Sequence, residues 1–293
     1  MSQDAIIEPR LLNSLGDLSL VARSVVEGFL SGLHRSPFLG YSTEFASYRP
    51  YIQGDNLRHV DWKVWGRTDE LYVKQFEDDT NLYSQILLDT SGSMDFGNPN
   101  KFQYGRTLAA ALAYLMVRQH DAPGLTLFGD RAVRALPARS NHHHLDDVLQ
   151  MLVNAEAGGR TIIGADLWNV LETFIRRGVA IVISDLFGMG DGIIELLRQL
   201  QIVRQEVIVF HIVAPEEADF NFEGHYLMED SETGEQLPIH AGAFRKEYQR
   251  RFTEFCRRVE EECEQTEADY RRLRTDTPLE HALTLYLEER MTV

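Results

Sequence analysis

Cysteine is scarce in this chain: there are two in 293 residues, Cys256 and Cys263. They lie seven apart in a charged stretch with helical period. Two helical turns separate their Cα atoms by about 10 Å, too far for a bridge. A disulfide-stapled scaffold is therefore not expected, and the pair reads as reduced thiols of a cytoplasmic protein. Long apolar runs are missing too. No window approaches the roughly 18 uninterrupted apolar residues of a membrane span. The first residues do not read as a leader peptide, because Asp4, Glu8 and Asp17 stand where a basic start and an apolar run belong.

Positive charge is also short. Lys and Arg number 29 against 45 Asp and Glu, a formal net charge of −16. Nucleic acid is not an expected partner, since phosphate contacts need clustered basic residues. The Gly-x-x-x-x-Gly-Lys-Ser/Thr phosphate loop is absent, so the chain is not itself a P-loop ATPase. No Gly-x-Ser-x-Gly nucleophile elbow occurs either.

What is present is a core and a rhythm. Hydrophobic residues make up 44% of the chain, ample for a packed interior. From residue 84, short apolar runs alternate with helical patterns. "SQILLD", "GLTLFG", "AVRALPAR", "VAIVISDL", "EVIVFHIV" and "YRRLRT" read as strands. "KFQYGRTLAAALAYLMVRQ", "HHLDDVLQMLVNAE", "IGADLWNVLETFIRR", "GIIELLRQLQIVRQ", a charged stretch near 243–267 and "PLEHALTLYLEER" read as helices. Such alternation predicts an α/β fold: a doubly wound, mostly parallel sheet flanked by helices. "EADFNFEGHYLMEDSETGEQLPIH" interrupts it and reads as a small β-hairpin insertion with its turn near 231–235. Residues 1–79 read differently: one or two short amphipathic helices over 9–34, then an aromatic, Gly-rich and charged segment with one strand in "ELYVKQFE". The expected division is 1–79, a helical and signature segment packed on the core, and 80–293, the sheet domain.

The stretch "LLDTSGSM" carries the chemistry. Asp89 ends the first core strand, and doubly wound sheets bind ligands outside the carboxyl ends of their strands. Ser91 and Ser93 follow in a loop that Gly92 allows to turn tightly. Thr161 in "GGRTIIGADL" and Asp185 in "IVISDLFG" are expected at the same edge. Five oxygen-bearing side chains at one spot suit a hard cation, Mg²⁺ by default, with Mn²⁺ or Ca²⁺ as substitutes. The bland alternatives are helix capping by Asp89, Ser91, Ser93 and Thr161, and a plain turn role for Asp185. His142, His143 and His144 read as surface residues at a helix start. Asp55, Arg58, Asp61, Arg67 and Lys74 read as ion pairs, and Trp62 and Trp65 as packing residues.

Asp-x-Ser-x-Ser at a strand end, with a later Thr and a later strand-end Asp, resembles the metal-ion-dependent adhesion site of von Willebrand factor A domains. That resemblance implies Ser91, Ser93 and Thr161 on the metal, with Asp89 and Asp185 acting through water. "YIQGDNLRHVDWKVWGRTDELYVKQFEDD" and "RTDTPLEHAL" are similar to the domain-of-unknown-function-58 family, which places the first segment before such a domain. This second resemblance implies partnership with a MoxR-type AAA+ ATPase in assembling or activating other complexes. The expected function is a metal-dependent protein-binding adaptor, not an enzyme, which takes an acidic side chain of its partner onto the metal. The alternative is a metal-dependent, phosphatase-like hydrolase using the same strand-end site, although Ser91 stands where an aspartyl-nucleophile phosphatase carries a second carboxylate.

Overall fold

A computed structural model describes residues 15–33, 47–50, 66–67, 71–75, 82–129, 133–140, 142–159, 164–174, 176–188, 192–229 and 234–290. The chain forms two compact units, residues 1–31 with 82–293, and residues 32–81. One break was expected, at residue 79; the chain has two, because helix α1 (Leu15–Leu33) groups with the larger unit. Its buried side chains Leu18, Ala22, Val25, Val26 and Phe29 form one apolar stripe at helical spacing. Glu27 stands 4.0 Å from Arg118 of the larger unit. In the smaller unit, β1 (Ser47–Pro50) pairs antiparallel with β2 (Tyr72–Gln75). Strand β2 was expected and β1 was not. Arg67 is exposed and Lys74 lies in β2. Asp55, Arg58, Asp61, Trp62 and Trp65 lie outside the described residues.

The larger unit is built on six strands: β3 (Tyr83–Asp89), β4 (Ala122–Phe128), β5 (Arg134–Leu136), β6 (Gly178–Ser184), β7 (Gln205–Val213) and β10 (Asp269–Arg274). Their order across the sheet is β10-β7-β6-β3-β4-β5. All neighbours are parallel except β5, which runs antiparallel to β4. The expected doubly wound α/β fold is the observed one. From β3 the chain winds one way to β4 and β5, then returns to β6 and winds the other way. The switch point is therefore the crevice between β3 and β6.

Both sheet faces are covered, which is why the central strands are buried along almost their whole length instead of alternating. On one face Leu87, Val182 and Val209 pack with residues of α4 (Ala165–Leu171), α5 (Gly192–Ile202) and α7 (Ala241–Gln265). The other face carries Leu88 and Ile183, against which Gly105 of α2 (Lys101–Arg118) lies. Helix α3 (His142–Val153) and the last helix, α8 (Leu279–Arg290), lie beside α2. The one-turn α6 (Pro215–Asp219) leads from β7 towards a protruding hairpin, β8 (His225–Glu229) paired with β9 (Gln236–His240). The hairpin was expected; its turn residues 231–233 lie outside the described set.

Two readings need correction. The helix expected through residue 177 ends at Leu171, because Thr173 and Phe174 bond back only three residues and tighten the exit. His144 is not a surface residue: it is buried, with Nε2 3.0 Å from the Pro123 carbonyl. Cys256 and Cys263 are free thiols, both buried in α7, and burial pushes Cys263 up to about 12.

Candidate functional site

The site begins where β3 runs out of apolar residues. Asp89 closes the strand fully buried, at the carboxyl end of the switch-point crevice. Its Oδ1 accepts the Ser91 backbone N–H at 2.8 Å. Its Oδ2 accepts the Ser184 hydroxyl at 2.6 Å, so the last residue of β6 pins the last residue of β3. Beyond Asp89 the chain makes a short 3-10 turn over Gly92–Met94. Ser91, just before this turn, and Ser93, inside it, bring their hydroxyls 2.9 Å apart. Ser93 donates to Asp185 Oδ1 at 3.1 Å, which leaves Ser91 to donate to Ser93.

Four expected residues, Asp89, Ser91, Ser93 and Asp185, thus converge on one edge. Helix capping does not account for them: α2 is capped by Asn100, whose side chain accepts from the Gln103 N–H at 3.0 Å. Thr161 lies outside the described residues. The loop before it is tied to this edge, for Gly92 N donates to Gly159 O at 2.7 Å and Gly158 N to Thr90 O at 2.9 Å.

Asp185 follows β6 and is also fully buried. Its Oδ1 accepts the Phe187 N–H at 3.0 Å, while Oδ2 accepts Lys101 Nζ at 2.6 Å. The next residue, Leu186, is held in the left-handed region at φ 61°, a costly conformation for a branched side chain. Lys101 also donates to Glu217 Oε1 at 2.5 Å, and Glu217 Oε2 accepts the Ala214 N–H that opens α6 at 2.9 Å. Phe96 and Phe187 place ring faces 5.6 and 5.2 Å from the ammonium. Behind them His211 sits buried with Nδ1 2.6 Å from the Tyr270 hydroxyl. Burial, then the charges of Arg272 and Lys101, push its imidazole down to about 3.

The electrostatics follow from burial. Desolvation, then the neighbouring Asp185 carboxylate, hold Asp89 well above the ordinary carboxylate range. Desolvation raises Glu217 as well, against the pull of Lys101. A cation beside Asp89 and Asp185 would offset both the desolvation of Asp89 and its repulsion by Asp185.

The hydroxyl spacing also fits such an ion. Octahedral Mg²⁺ has oxygen ligands at about 2.0–2.1 Å, so adjacent ligands stand about 2.9 Å apart. Ser91 and Ser93 already have that separation. Among the described residues no three His, Cys, Asp or Glu side chains cluster as a metal site, so hydroxyls would have to complete the shell.

Lys101, Glu217 and Ser184 were not expected from the sequence. Lys101 follows the helix cap Asn100, a position where the helix dipole disfavours a cation, and only that mismatch could have marked it.

Sheet order and switch point define a doubly wound α/β protein. A family model described as Protein of unknown function DUF58 matches residues 47–257, and the chain belongs to that family. Uncharacterized protein Rv1480 of Mycobacterium tuberculosis is 28% identical over 241 residues, 80% of this chain and 75% of that protein. Uncharacterized protein Mb1516 of Mycobacterium bovis matches with the same figures, 28% over 241 residues, 80% and 75%. Among solved structures, BatB from Bacteroides thetaiotaomicron is 17% identical with a TM-score of 0.46, covering 72% of this chain and 100% of its own. An aerotolerance-related membrane protein from Bacteroides fragilis is 18% identical with a TM-score of 0.48, covering 72% and 100%. No helix among the described residues is long and apolar enough to cross a membrane.

Proposed function

We propose that this chain is a cytoplasmic, metal-dependent protein-binding adaptor and not an enzyme. Ser91, Ser93 and Thr161 would hold a divalent cation directly, with Asp89 and Asp185 balancing it through water. The neutral hydroxyls leave the cation electrophilic, and an acidic side chain of a protein partner would complete its shell. A MoxR-type AAA+ ATPase is the partner class that family resemblance points to, in assembly or activation of other complexes.

The observation that carries this reading is the hydroxyl chain Ser91–Ser93–Asp185, with spacings of 2.9 and 3.1 Å, beside the buried Asp89. Titration of the chelator-treated protein with Mn²⁺ should give one site, lost in Asp89→Ala. Capture of a purified MoxR-type ATPase from the same organism should fall at least about tenfold, roughly 1.4 kcal/mol, in EDTA and in Ser93→Ala alike. Capture that survives both treatments overturns the adhesion mechanism. Metal-dependent phosphoester turnover abolished by Ser93→Ala would instead establish the hydrolase.

A further inference from the structure

Lys101 is the least expected residue of the edge. A lysine is almost never fully buried unless paired. This one is fully buried, in the first turn of α2, where the helix dipole opposes its charge. Two carboxylates compensate: Asp185, just beyond the end of β6, at 2.6 Å and Glu217, in α6, at 2.5 Å. Asp185 is therefore shared. One oxygen faces the Ser93 hydroxyl of the candidate metal shell, the other the Lys101 ammonium.

We propose that Lys101 is a positioning residue that sets how tightly the strand-end site holds a divalent cation, by competing with that cation for Asp185, and that Glu217 tunes the competition by drawing the ammonium away. The inference rests on the metal-binding reading and adds the groups that regulate it. Two like charges on one buried carboxylate weaken each other, since charges in such a place are poorly screened by water. Lys101 holds Asp185 aimed at Ser93 when no cation is bound, and its repulsion keeps affinity low enough for exchange. Glu217 offsets part of that repulsion. The two partners of one ion pair then act on cation affinity in opposite directions.

The opposition is the test. Mn²⁺ affinity of the full 293-residue chain would be measured by calorimetry for wild type, Lys101→Met, Lys101→Arg and Glu217→Gln, with circular dichroism confirming each fold. Lys101→Met should bind Mn²⁺ at least tenfold more tightly. Glu217→Gln should bind it several-fold more weakly, and Lys101→Arg should stay within about threefold of wild type, because the charge is kept. Both Met and Gln variants break the same buried pair, so a purely structural role moves both affinities the same way; that result, or no change in either, overturns the proposal. If Lys101→Met fails to fold, Lys101→Gln takes its place: tighter Mn²⁺ binding there beside weaker binding in Glu217→Gln sustains the proposal, and any other pairing overturns it. A wild type that binds no Mn²⁺ beside a Lys101→Met variant that does would sustain the competition and overturn the adhesion reading. No binding by any of the four overturns both.

Discussion

Ser184 shows how one small side chain can hold two loops. Its hydroxyl donates to Asp89 Oδ2 at 2.6 Å and accepts the Leu186 N–H at 2.8 Å. The first bond ties β6 to β3 across the switch point; the second supports Leu186 in its left-handed conformation. Replacement by Ala leaves a carboxylate oxygen and an N–H buried without partners, which costs about 1–3 kcal/mol. Ser184→Ala should therefore lower the urea midpoint without changing the slope, whereas Ser184→Thr, which keeps a hydroxyl, should lose less. A midpoint unmoved in the Ala variant would mean that neither bond contributes. Asp89, Ser91, Ser93 and Asp185 were legible in the sequence because each stands at a strand end or in the loop just after one. Ser184, Lys101 and Glu217 were not, since their partners lie 95, 84 and 116 residues away and nothing local announces them.

Among the elements, β6 and α1 respond oppositely to the same change. Gly178 opens β6 opposite Tyr83 of β3, and a Cβ there would stand 2.0 Å from the Tyr83 carbonyl oxygen. Backbone cannot swing aside as a side chain can, so the strands must separate. Gly178→Ala should destabilise by about 1–3 kcal/mol, as overpacking does. Gly28, exposed in the middle of α1, has nothing within 4 Å of its Cβ position. Gly28→Ala there removes the conformational freedom of the unfolded glycine and should stabilise by about 0.5–1 kcal/mol. Chemical denaturation of the two variants side by side reads both signs; two shifts in the same direction would contradict the packing described. The element types of the sheet domain were legible because strand runs and helical periods alternate cleanly. Ends were less so: α4 continues in the sequence pattern to residue 177, but Thr173 turns its hydroxyl back to the Val170 carbonyl at 2.6 Å and the chain leaves the helix.

For the molecule as a whole, alternation implied a parallel sheet but could not order its strands. Central β3, β6 and β7 are alike buried on both faces, and their neighbours are set by which way each crossover returns, a property of packing and not of any one segment. The same limit hid the place of α1, which precedes the 32–81 unit in sequence yet belongs with the sheet unit that follows it. Its stripe of Leu18, Ala22, Val25, Val26 and Phe29 is buried. At about 1.5–3 kcal/mol for each large apolar side chain fully buried, the stripe contributes a sizeable part of the roughly 5–15 kcal/mol that holds a domain folded. A chain beginning at residue 82 should accordingly unfold at markedly lower urea and bind a hydrophobic dye. That shortening also removes the 32–81 unit, so a point substitution must isolate the helix. Val26 is fully buried in the middle of the stripe, and an aspartate there would be a buried, unpaired charge. Val26→Asp in the intact chain should move the midpoint most of the way towards that of the shortened chain. If the shortened chain is weak but Val26→Asp is neutral, the missing stability comes from the 32–81 unit instead, and α1 is only an adjacent helix.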